Sequence, residues 1–420
     1  MQGNYVFFCC KYSDLDNMLP VLFALLEANE HAEAAIYWYG KTIKDDSSGL
    51  LRYAQRSFSQ RLSIWVPSQQ GFSDYGAVFS RPGLLQRLRL RWHALGDLGH
   101  EKRPGARAAE HLLQHYSGSV DICFFGFSGR EFLAETAARI KYCRPLWVRL
   151  PQGVRLAVSA FRTVKNVSVP STTAASDYLP VWADEAIDVD RHMYTHCAGI
   201  YERLGSAQQC SQPALLGAPR FSHRWIKRLD EAFADVVTEF SATPVQRRRI
   251  LFLLTPWHKN VWREEVLRVL DIVAAYDVSL VIKGFHANTS QDMSGKGLCI
   301  DESSPTSALI RDADAVLYIA TSAALDGYMR GKEMLQLSYL HGNQTSLEKY
   351  GVGVAAQCRD DVHLRMQRFV QTGSFLFDGE EERKVEAERF VHAEIVGEDP
   401  MRDYSAYLHT LVENRRLNAD

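Results

Sequence analysis

The sequence predicts an α/β fold made of two Rossmann-like, doubly wound domains with a cleft between them. Its length of 420 residues exceeds what one hydrophobic core normally serves. Short apolar runs alternate with helical patterns, and this alternation restarts after a polar break in the middle of the chain. Apolar residues make up 46% and charged residues 23%. These values are ordinary for a folded protein, so neither disorder nor a fibrous repeat is predicted.

The first half of the chain contains several apolar runs of strand length. Residues 5–10 are apolar and aromatic, and a helical pattern follows at residues 19–29. Further strand-like runs occupy residues 35–39, 62–66, 121–126 and 146–150, with a helical stretch at residues 129–141. Strands alternating with helices favour a parallel sheet covered on its faces.

A polar, proline-containing stretch at residues 241–249 marks the predicted domain boundary. The predicted domains are therefore residues 1–245 and residues 246–420. After the boundary, strands are predicted at residues 250–254, 278–283, 315–319 and 334–337, and helices at residues 261–276, 304–311 and 322–330. This second half has the clearer Rossmann-like pattern.

Charge and cysteine usage exclude several classes of protein. The formal net charge of -2 argues against affinity gained by neutralising many phosphates of a nucleic acid. The 8 cysteines are scattered without a C-x-x-C pair, so reduced thiols and no zinc site are expected. The first thirty residues lack a basic leader, and no stretch is long and apolar enough to span a membrane. We expect a cytoplasmic protein with no cofactor and no obligatory metal.

Residues 81–107 interleave arginines and lysines with leucines and a tryptophan. Such a basic amphipathic segment can lie peripherally on an anionic membrane, on the inner face for a cytoplasmic protein. The alternative is a solvated helix that covers the sheet. The sequence leaves both open.

Four groups of polar residues follow predicted strands or precede predicted helices. Ligands of open α/β sheets bind at the carboxyl ends of strands, so each group is a candidate site. The first lies at residues 255–260 and supplies Thr255, His258, Lys259 and Asn260. These groups suit a phosphate or an acceptor sugar, and the alternative is an ordinary helix cap by Asn260.

The second group supplies Lys283, His286 and Asn288 after an apolar strand. A lysine and a histidine three residues apart can both donate to a phosphate, and Gly284 lets the backbone bend toward a ligand. The alternative is a surface loop.

The third group spans residues 321–332 and gives the strongest local signal in the chain. Thr321 and Ser322 open a helix, where hydroxyl and N–H groups with the helix dipole can cradle an anion. Asp326 is a candidate acceptor from a ribose hydroxyl, with a solvated helix-face carboxylate as the alternative. Lys332 closes the same segment and is a candidate nucleotide contact.

The fourth group lies in the first half, where Gln152 and Gly153 end a predicted strand and Arg220 precedes a predicted helix. Gln152 and Arg220 can bind hydroxyl or carboxylate groups of a sugar, although glycine and proline at both places also suit tight turns. The Walker, G-x-S-x-G, H-E-x-x-H and G-x-G-x-x-G motifs are absent, which weakens the ATPase, hydrolase, zinc-protease and dinucleotide-dependent alternatives.

Several of these motifs together resemble those of GT-B glycosyltransferases. The strand and Lys-Gly-Phe-His element ending at His286 is similar to their nucleotide-binding domain, as is the segment 313–332 with its Thr-Ser, acidic residue and Gly-Lys. Residues 150–153, 175–182 and 216–221 resemble landmarks of their first domain. The motifs span roughly residues 145–345. Within that fold the chain resembles bacterial capsule and O-antigen enzymes that transfer Kdo, an acidic eight-carbon sugar, from CMP-Kdo.

The resemblance implies an enzyme whose first domain binds acceptor and sugar and whose second domain binds the nucleotide sugar. It implies His286, Lys283 and Ser322 on the nucleotide phosphate, Arg220 on the sugar carboxylate, and a glycan of a surface polysaccharide such as lipopolysaccharide as acceptor. Retaining members use an aspartate nucleophile near the end of the first domain, for which Asp230 is the nearby candidate. The base and the stereochemical outcome stay open.

Three other functions remain on the same pattern. A glycerophosphotransferase and a sugar-nucleotide epimerase share the fold class, and fold alone does not separate them from a glycosyltransferase. A non-catalytic sugar- or nucleotide-binding protein is the third.

Overall fold

The structure is a computed structural model, and it describes residues 4–10, 12–40, 43, 45–68, 71–75, 111–112, 114–115, 120–125, 155–160, 185–188, 214–242, 246–255, 257, 261–284, 298–341, 347 and 351–417. The described residues fall into two compact units. The first contains those up to residue 220 together with residues 399–417, and the second contains residues 221–398.

The first unit is built on a predominantly parallel sheet with strand order β4-β3-β2-β1-β5-β6-β7-β8. The strands are β1 (Asn4–Cys9), β2 (Glu33–Trp38), β3 (Leu62–Ser68), β4 (Gly71–Asp74), β5 (Ile122–Phe125), β6 (Arg155–Ala160), β7 (Glu185–Asp188) and β8 (Ala214–Leu215). Among these strands, β4 alone pairs antiparallel. Val6 to Cys9 on β1 are all buried, as expected for a central strand covered on both faces.

Helix α1 (Tyr12–Ala28) follows β1, and helix α2 (Asp45–Ser57) follows β2. Helix α1 is apolar around most of its circumference, and its residues from Met18 to Leu26 are all buried. A helix with this pattern needs cover on several sides. One side of α1 packs against α2. Another side is covered by the helix at residues 400–417.

The second unit contains a parallel sheet with strand order β11-β10-β9-β12-β13-β14. Its strands are β9 (Arg248–Leu253), β10 (Val278–Lys283), β11 (Cys299–Asp301), β12 (Ala315–Tyr318), β13 (Glu333–Leu337) and β14 (Val354–Ala356). Its helices are α3 (His223–Ala232), α4 (Arg263–Ala274), α5 (Thr306–Asp312), α6 (Ala324–Met329), α7 (Arg359–Thr372) and α8 (Glu381–Phe390).

Helices cover both faces of the second sheet, as a doubly wound architecture requires. One face packs Phe252, Leu317 and Leu335 against α4 and α7, and each of the three is fully buried. Helices α3, α5 and α6 pack together, and Met334 and Val316 lie beneath α6. Almost continuous apolar strands are thus explained by burial on two sides.

The chain returns to the first unit at its far end. A π-helical turn (Val391–Val396) ends at Gly397, whose φ of 84° a side-chain-bearing residue rarely adopts. Helix α9 (Pro400–Leu417) then packs on α1. Its buried stripe of Met401, Tyr404, Leu408 and Val412 has helical spacing.

The predicted fold class is confirmed: both sheets are parallel in the main and wound with helices. The strands predicted at residues 250–254, 278–283, 315–319 and 334–337 match β9, β10, β12 and β13 closely. The strand predicted at residues 146–150 and the helix predicted at 129–141 lie outside the described residues. The two units divide at residues 220–221, earlier than the predicted boundary at 245–246, and α9 belongs to the first unit. None of the described helices is long and apolar enough to cross a membrane.

Candidate functional site

The second sheet has a topological switch point between β9 and β12. From β9 the chain moves to β10 on one side, and it later returns to place β12 on the other side. The loops after β9 and β12 therefore diverge onto opposite faces and leave a crevice at their carboxyl ends. Thr255 lies in the first of these loops, and Thr321 and Ser322 lie in the second.

A direct hydrogen bond joins the two loops. The Ala320 N–H donates to Thr255 Oγ1 at 3.4 Å, and Thr255 is only 3% exposed. The Thr321 hydroxyl accepts from the Ala323 N–H at 3.3 Å, which makes a tight turn at the start of α6. The structure thus brings the predicted residues Thr255, Thr321 and Ser322 to one edge of one sheet. Helix α6 has six residues, so its dipole is small and local N–H and hydroxyl groups dominate the polarity there.

The loops after β9 and β13 also meet, across the carboxyl end of β12. The Trp262 N–H donates to the Leu340 carbonyl at 3.0 Å, and Val261 pairs with His341 in an antiparallel bridge. Because β12 lies between β9 and β13, this bridge closes one side of the crevice. Trp262 is 59% exposed beside it.

Two buried polar atoms near this bridge have no hydrogen-bond partner in the described part of the chain: Trp257 Nε1 and Tyr339 Oη. Burial, with a smaller effect from the Glu265 carboxylate, raises the pKa of Tyr339 to about 12, so the phenol stays protonated at neutral pH. A buried N–H or O–H without a partner carries a desolvation cost that a bound ligand can offset. Neither Trp257 nor Tyr339 was predicted as a site residue; an aromatic side chain shortly after a predicted strand was the available signal.

Lys283 ends β10 and is 6% exposed. Its Nζ donates to the carbonyl oxygens of Glu302 at 3.1 Å and Ser304 at 2.5 Å. The ammonium thereby ties β10 to the loop after β11 and places a positive charge at the carboxyl edge of the sheet. Its predicted contact with a phosphate stays a prediction.

Asp230 and Asp326 share one buried cation at the opposite edge. Arg330 lies just before β13, and its Nη1 donates to both carboxylate oxygens of Asp230 at 2.8 and 2.9 Å. Its Nε donates to Asp326 at 2.7 Å, and its Nη2 donates to Ser307 Oγ at 2.9 Å. The Arg330 side chain is 7% exposed. The structure therefore separates Asp230 and Asp326 from Thr255: Asp230 joins α3 to the end of α6, and Asp326 pairs with Arg330 along α6.

Lys332 also lies at the amino edge of the second sheet. Its Nζ donates to the carbonyl oxygens of Arg311 at 2.8 Å and Ala313 at 2.7 Å, at the carboxyl end of α5. Lysine at this position satisfies carbonyls that a helix end leaves without partners. Burial, followed by repulsion from Arg330, lowers the pKa of Lys332. The structure does not bring Lys332 to the carboxyl edge.

Arg220 forms a buried ion pair within the first unit. Its Nη2 lies 2.8 Å from Asp16 Oδ2, with side-chain exposures of 16% and 7%. Asp16 is on α1, which begins at the carboxyl edge of β1. Arg220 lies in a 3-10 turn (Pro219–Phe221) after Gly217, whose φ of 81° makes the bend before it. Asp16 was not selected from the sequence, because nothing local links positions so far apart.

The remaining predicted site residues lie outside the described residues. They are Gln152, Gly153, His258, Lys259, Asn260, His286 and Asn288. The basic segment 81–107 lies outside them as well. In the part of the chain that the structure describes, no three His, Cys, Asp or Glu side chains form a group that could hold a metal. The expectation of no obligatory metal stays a prediction.

Comparison by sequence finds no relative: no protein-family profile and no curated protein matches the chain. Comparison by structure finds whole-length matches. A putative UDP-N-acetylglucosamine 2-epimerase from Listeria monocytogenes matches with TM-score 0.58 and 11% identity, over 100% of this chain and 98% of that one.

Two further solved structures match as completely. UDP-GlcNAc 2-epimerase from Neisseria meningitidis, bound to UDP-GlcNAc, gives TM-score 0.51 at 12% identity over 99% of this chain and 100% of that one. A UGT transferase from Siraitia grosvenorii in complex with UDP gives TM-score 0.52 at 10% identity over 98% and 100%. At such identities the likeness concerns the fold alone, and that fold is GT-B.

Proposed function

We propose that the protein is a glycosyltransferase that binds the nucleotide of a sugar nucleotide at the carboxyl edge of the second sheet. The observation that carries this proposal is the hydrogen bond from the Ala320 N–H to Thr255 Oγ1, which joins the two loops at the switch point. Open α/β sheets bind ligands at this place. The fold is shared with proteins whose structures hold UDP or UDP-GlcNAc.

In the proposed mechanism the second unit stabilises the negative charge that develops on the departing nucleotide. N–H and hydroxyl groups at Thr321 and Ser322 contact a phosphate, and the Lys283 ammonium adds positive charge at the same edge. His286, from the segment outside the described residues, completes the phosphate contacts. Preorganised donors and cations are effective here because they need no rearrangement as the charge develops.

For the donor we propose a CMP-linked acidic sugar such as Kdo, and for the acceptor a glycan of a bacterial surface polysaccharide. The support is the motif resemblance together with Arg220, a cation at the carboxyl edge of the first sheet. By contrast with this CMP-linked donor, the solved structures from Neisseria meningitidis and Siraitia grosvenorii hold UDP-GlcNAc and UDP. UDP sugars are therefore the first alternative donors to test.

Two threonines provide a matched test of the nucleotide site. Thr255 and Thr238 are each 3% exposed, and each hydroxyl makes a hydrogen bond, but Thr238 donates to Asp312 at the other edge of the sheet at 2.8 Å. Thr255→Val removes the acceptor that joins the two loops, so we expect nucleotide affinity to fall about fivefold, as loss of one hydrogen bond implies. Thr238→Val should leave affinity unchanged.

The measurement is thermal-shift binding with CMP, CDP, UDP, GDP and ADP, followed by calorimetry with any nucleotide that stabilises the protein. Selective stabilisation by CMP supports the acidic donor, and selective stabilisation by UDP redirects the assay to UDP sugars. No stabilisation by any nucleotide contradicts the proposal. If Thr255→Val and Thr238→Val change nucleotide affinity equally, the nucleotide does not bind at the switch point.

A sugar-nucleotide epimerase is the second candidate, because whole-length structural matches include UDP-GlcNAc 2-epimerases. The two activities differ in their need for an acceptor. Conversion of UDP-GlcNAc to an isomeric nucleotide sugar without acceptor would establish the epimerase. Release of free nucleotide with transfer of the sugar to a glycan would establish the transferase.

A further inference from the structure

The position of Arg220 in the first unit follows from strand order. Arg220 comes five residues after β8 at the edge of the sheet, whereas its partner Asp16 is on α1, directly after β1. Strands β5, β6 and β7 lie between β8 and β1. At roughly 4.8 Å per strand, β8 and β1 are about 19 Å apart. Residues 216–220 therefore run back along the carboxyl edge of the sheet to reach α1.

This route ends at the switch point of the first sheet. Strand β1 has β2 on one side and β5 on the other, and the chain winds away from β1 in both directions. The helix that follows β1 borders the crevice where such sheets bind ligands. The Asp16–Arg220 pair therefore lies beside the place where the fold itself predicts a ligand.

The chemistry of the pair is suited to an anion. A guanidinium has five N–H donors, so one arginine can bind a protein carboxylate and an anionic ligand group together. Asp16 Oδ2 lies 2.8 Å from Arg220 Nη2, which restrains that end of the guanidinium. A buried ion pair is a weak source of stability compared with apolar side chains of the same size, so orienting a charge is the better reason to keep it there.

We infer that Asp16 is a positioning residue that orients the Arg220 guanidinium toward an anionic group of the ligand at the switch point of the first sheet. This inference rests on the proposed function, because it concerns the same sugar nucleotide. The anionic group is a carboxylate of an acidic sugar or a phosphate of the nucleotide. Both offer the paired oxygens that a guanidinium binds well.

The test is a double-mutant cycle with Asp16→Asn, Arg220→Gln and the double variant, titrated by calorimetry with CMP, CMP-N-acetylneuraminate, UDP and UDP-GlcNAc. If Asp16 acts through Arg220, Asp16→Asn weakens the anionic ligand about tenfold, as loss of a charge-assisted hydrogen bond implies. In the Arg220→Gln background, Asp16→Asn has no further effect. Asp16→Glu, which keeps the charge, restores part of the affinity.

The ligand series separates the two sources of the anion. A loss confined to CMP-N-acetylneuraminate, with CMP unchanged, assigns Arg220 to the sugar carboxylate. Equal losses for CMP and UDP assign it to phosphate. Additive effects of Asp16→Asn and Arg220→Gln, or a lowered melting temperature with every affinity unchanged, would overturn the inference and leave the pair a structural clamp.

A matched control is available in the same unit at the opposite edge. Asp121 Oδ2 accepts from the Asn4 N–H at 3.0 Å, so Asp121→Asn makes the same substitution at an aspartate contact at the start of the sheet. It should lower the melting temperature and leave affinities unchanged. If the wild-type protein binds no nucleotide, the proposed function fails, and N-acetylneuraminate and inorganic phosphate are titrated instead. If N-acetylneuraminate or inorganic phosphate binds and Asp16→Asn weakens that binding, the inference is supported. If neither anion binds, or if Asp16→Asn leaves the binding unchanged, the inference is overturned.

Discussion

The two edges of the second sheet differ in how their polar groups are matched. At the amino edge, Arg330 and Lys332 are buried or half-buried cations whose donors meet carboxylates and carbonyls from three helices. At the carboxyl edge Lys283 and the Arg359–Glu265 pair are matched as well, but Trp257 Nε1 and Tyr339 Oη have no partner among the described groups. Saturated contacts favour rigidity, whereas unmatched donors favour a ligand. Charged residues alone therefore do not mark the functional edge.

The largest effect should come from Arg330→Met. It leaves the carboxylates of Asp230 and Asp326 without their shared cation, and breaking a buried pair from one side costs about 3 kcal/mol. We expect the free energy of unfolding in urea to fall by that amount, while nucleotide affinity of the folded protein stays unchanged.

Arg247→Met is the matched control for Arg330→Met, because Arg247 pairs with Asp277 at the surface, with exposures of 48% and 79%. A surface pair contributes little, so this change should be nearly neutral. A large loss of nucleotide affinity in Arg330→Met would instead place the amino-edge network in the site.

The second-largest effect should be a loss of stability in acid, caused by protonation of a carboxylate at the amino edge. Burial alone would raise the pKa of Asp312, but hydrogen bonds from Arg311 and Thr238 outweigh it and lower this pKa below its usual 3.8. The folded state then binds fewer protons than the unfolded state, so stability is present above about pH 4 and is lost as pH falls below it. Asp312→Asn should flatten the fall in unfolding free energy between pH 5 and 3. Asp277→Asn, a change at a carboxylate that is 79% exposed, is the control variant.

The smallest effect should come from Tyr339→Phe at the carboxyl edge. Removing a buried hydroxyl without a described partner should raise the free energy of unfolding by about 1 kcal/mol or less in the absence of ligand. In Tyr276→Phe, by contrast, a hydroxyl that donates to the His363 carbonyl at 3.0 Å is lost, and stability should fall slightly. If both variants lose stability alike, the Tyr339 hydroxyl has a partner such as water, and the contrast between the two edges fails.

Much of the fold could be predicted from sequence because buried parallel strands are continuous apolar runs. Strands β9, β10 and β12 stand out for this reason. Strands β11 and β14 have three residues each, too few to form a pattern, and they are defined by pairing with neighbours. The docking of α9 on α1 depends on contacts between the two ends of the chain, which periodicity does not encode.

The candidate site could be predicted only in part. Thr255, Thr321 and Ser322 follow strands, and strand ends share one edge in a parallel sheet, so their placement follows from local pattern. The local sequence pattern does not predict where Asp326 and Lys332, in the same segment 321–332, lie in the structure. That segment crosses the sheet from one edge to the other, and α6 is short enough that Lys332 is already at the far edge. The same brevity brings Asp326 within reach of Arg330.

The return of α9 to the first unit has a consequence for the order of folding. During synthesis, residues 221–398 leave the ribosome as one uninterrupted stretch and contain every strand of the second sheet. The first unit, although its strands are made earlier, waits for the stripe from Met401 to Val412 to cover α1. A nascent chain therefore exposes the side of α1 that α9 covers until α9 emerges, and that side of α1 is the surface on which a chaperone would act.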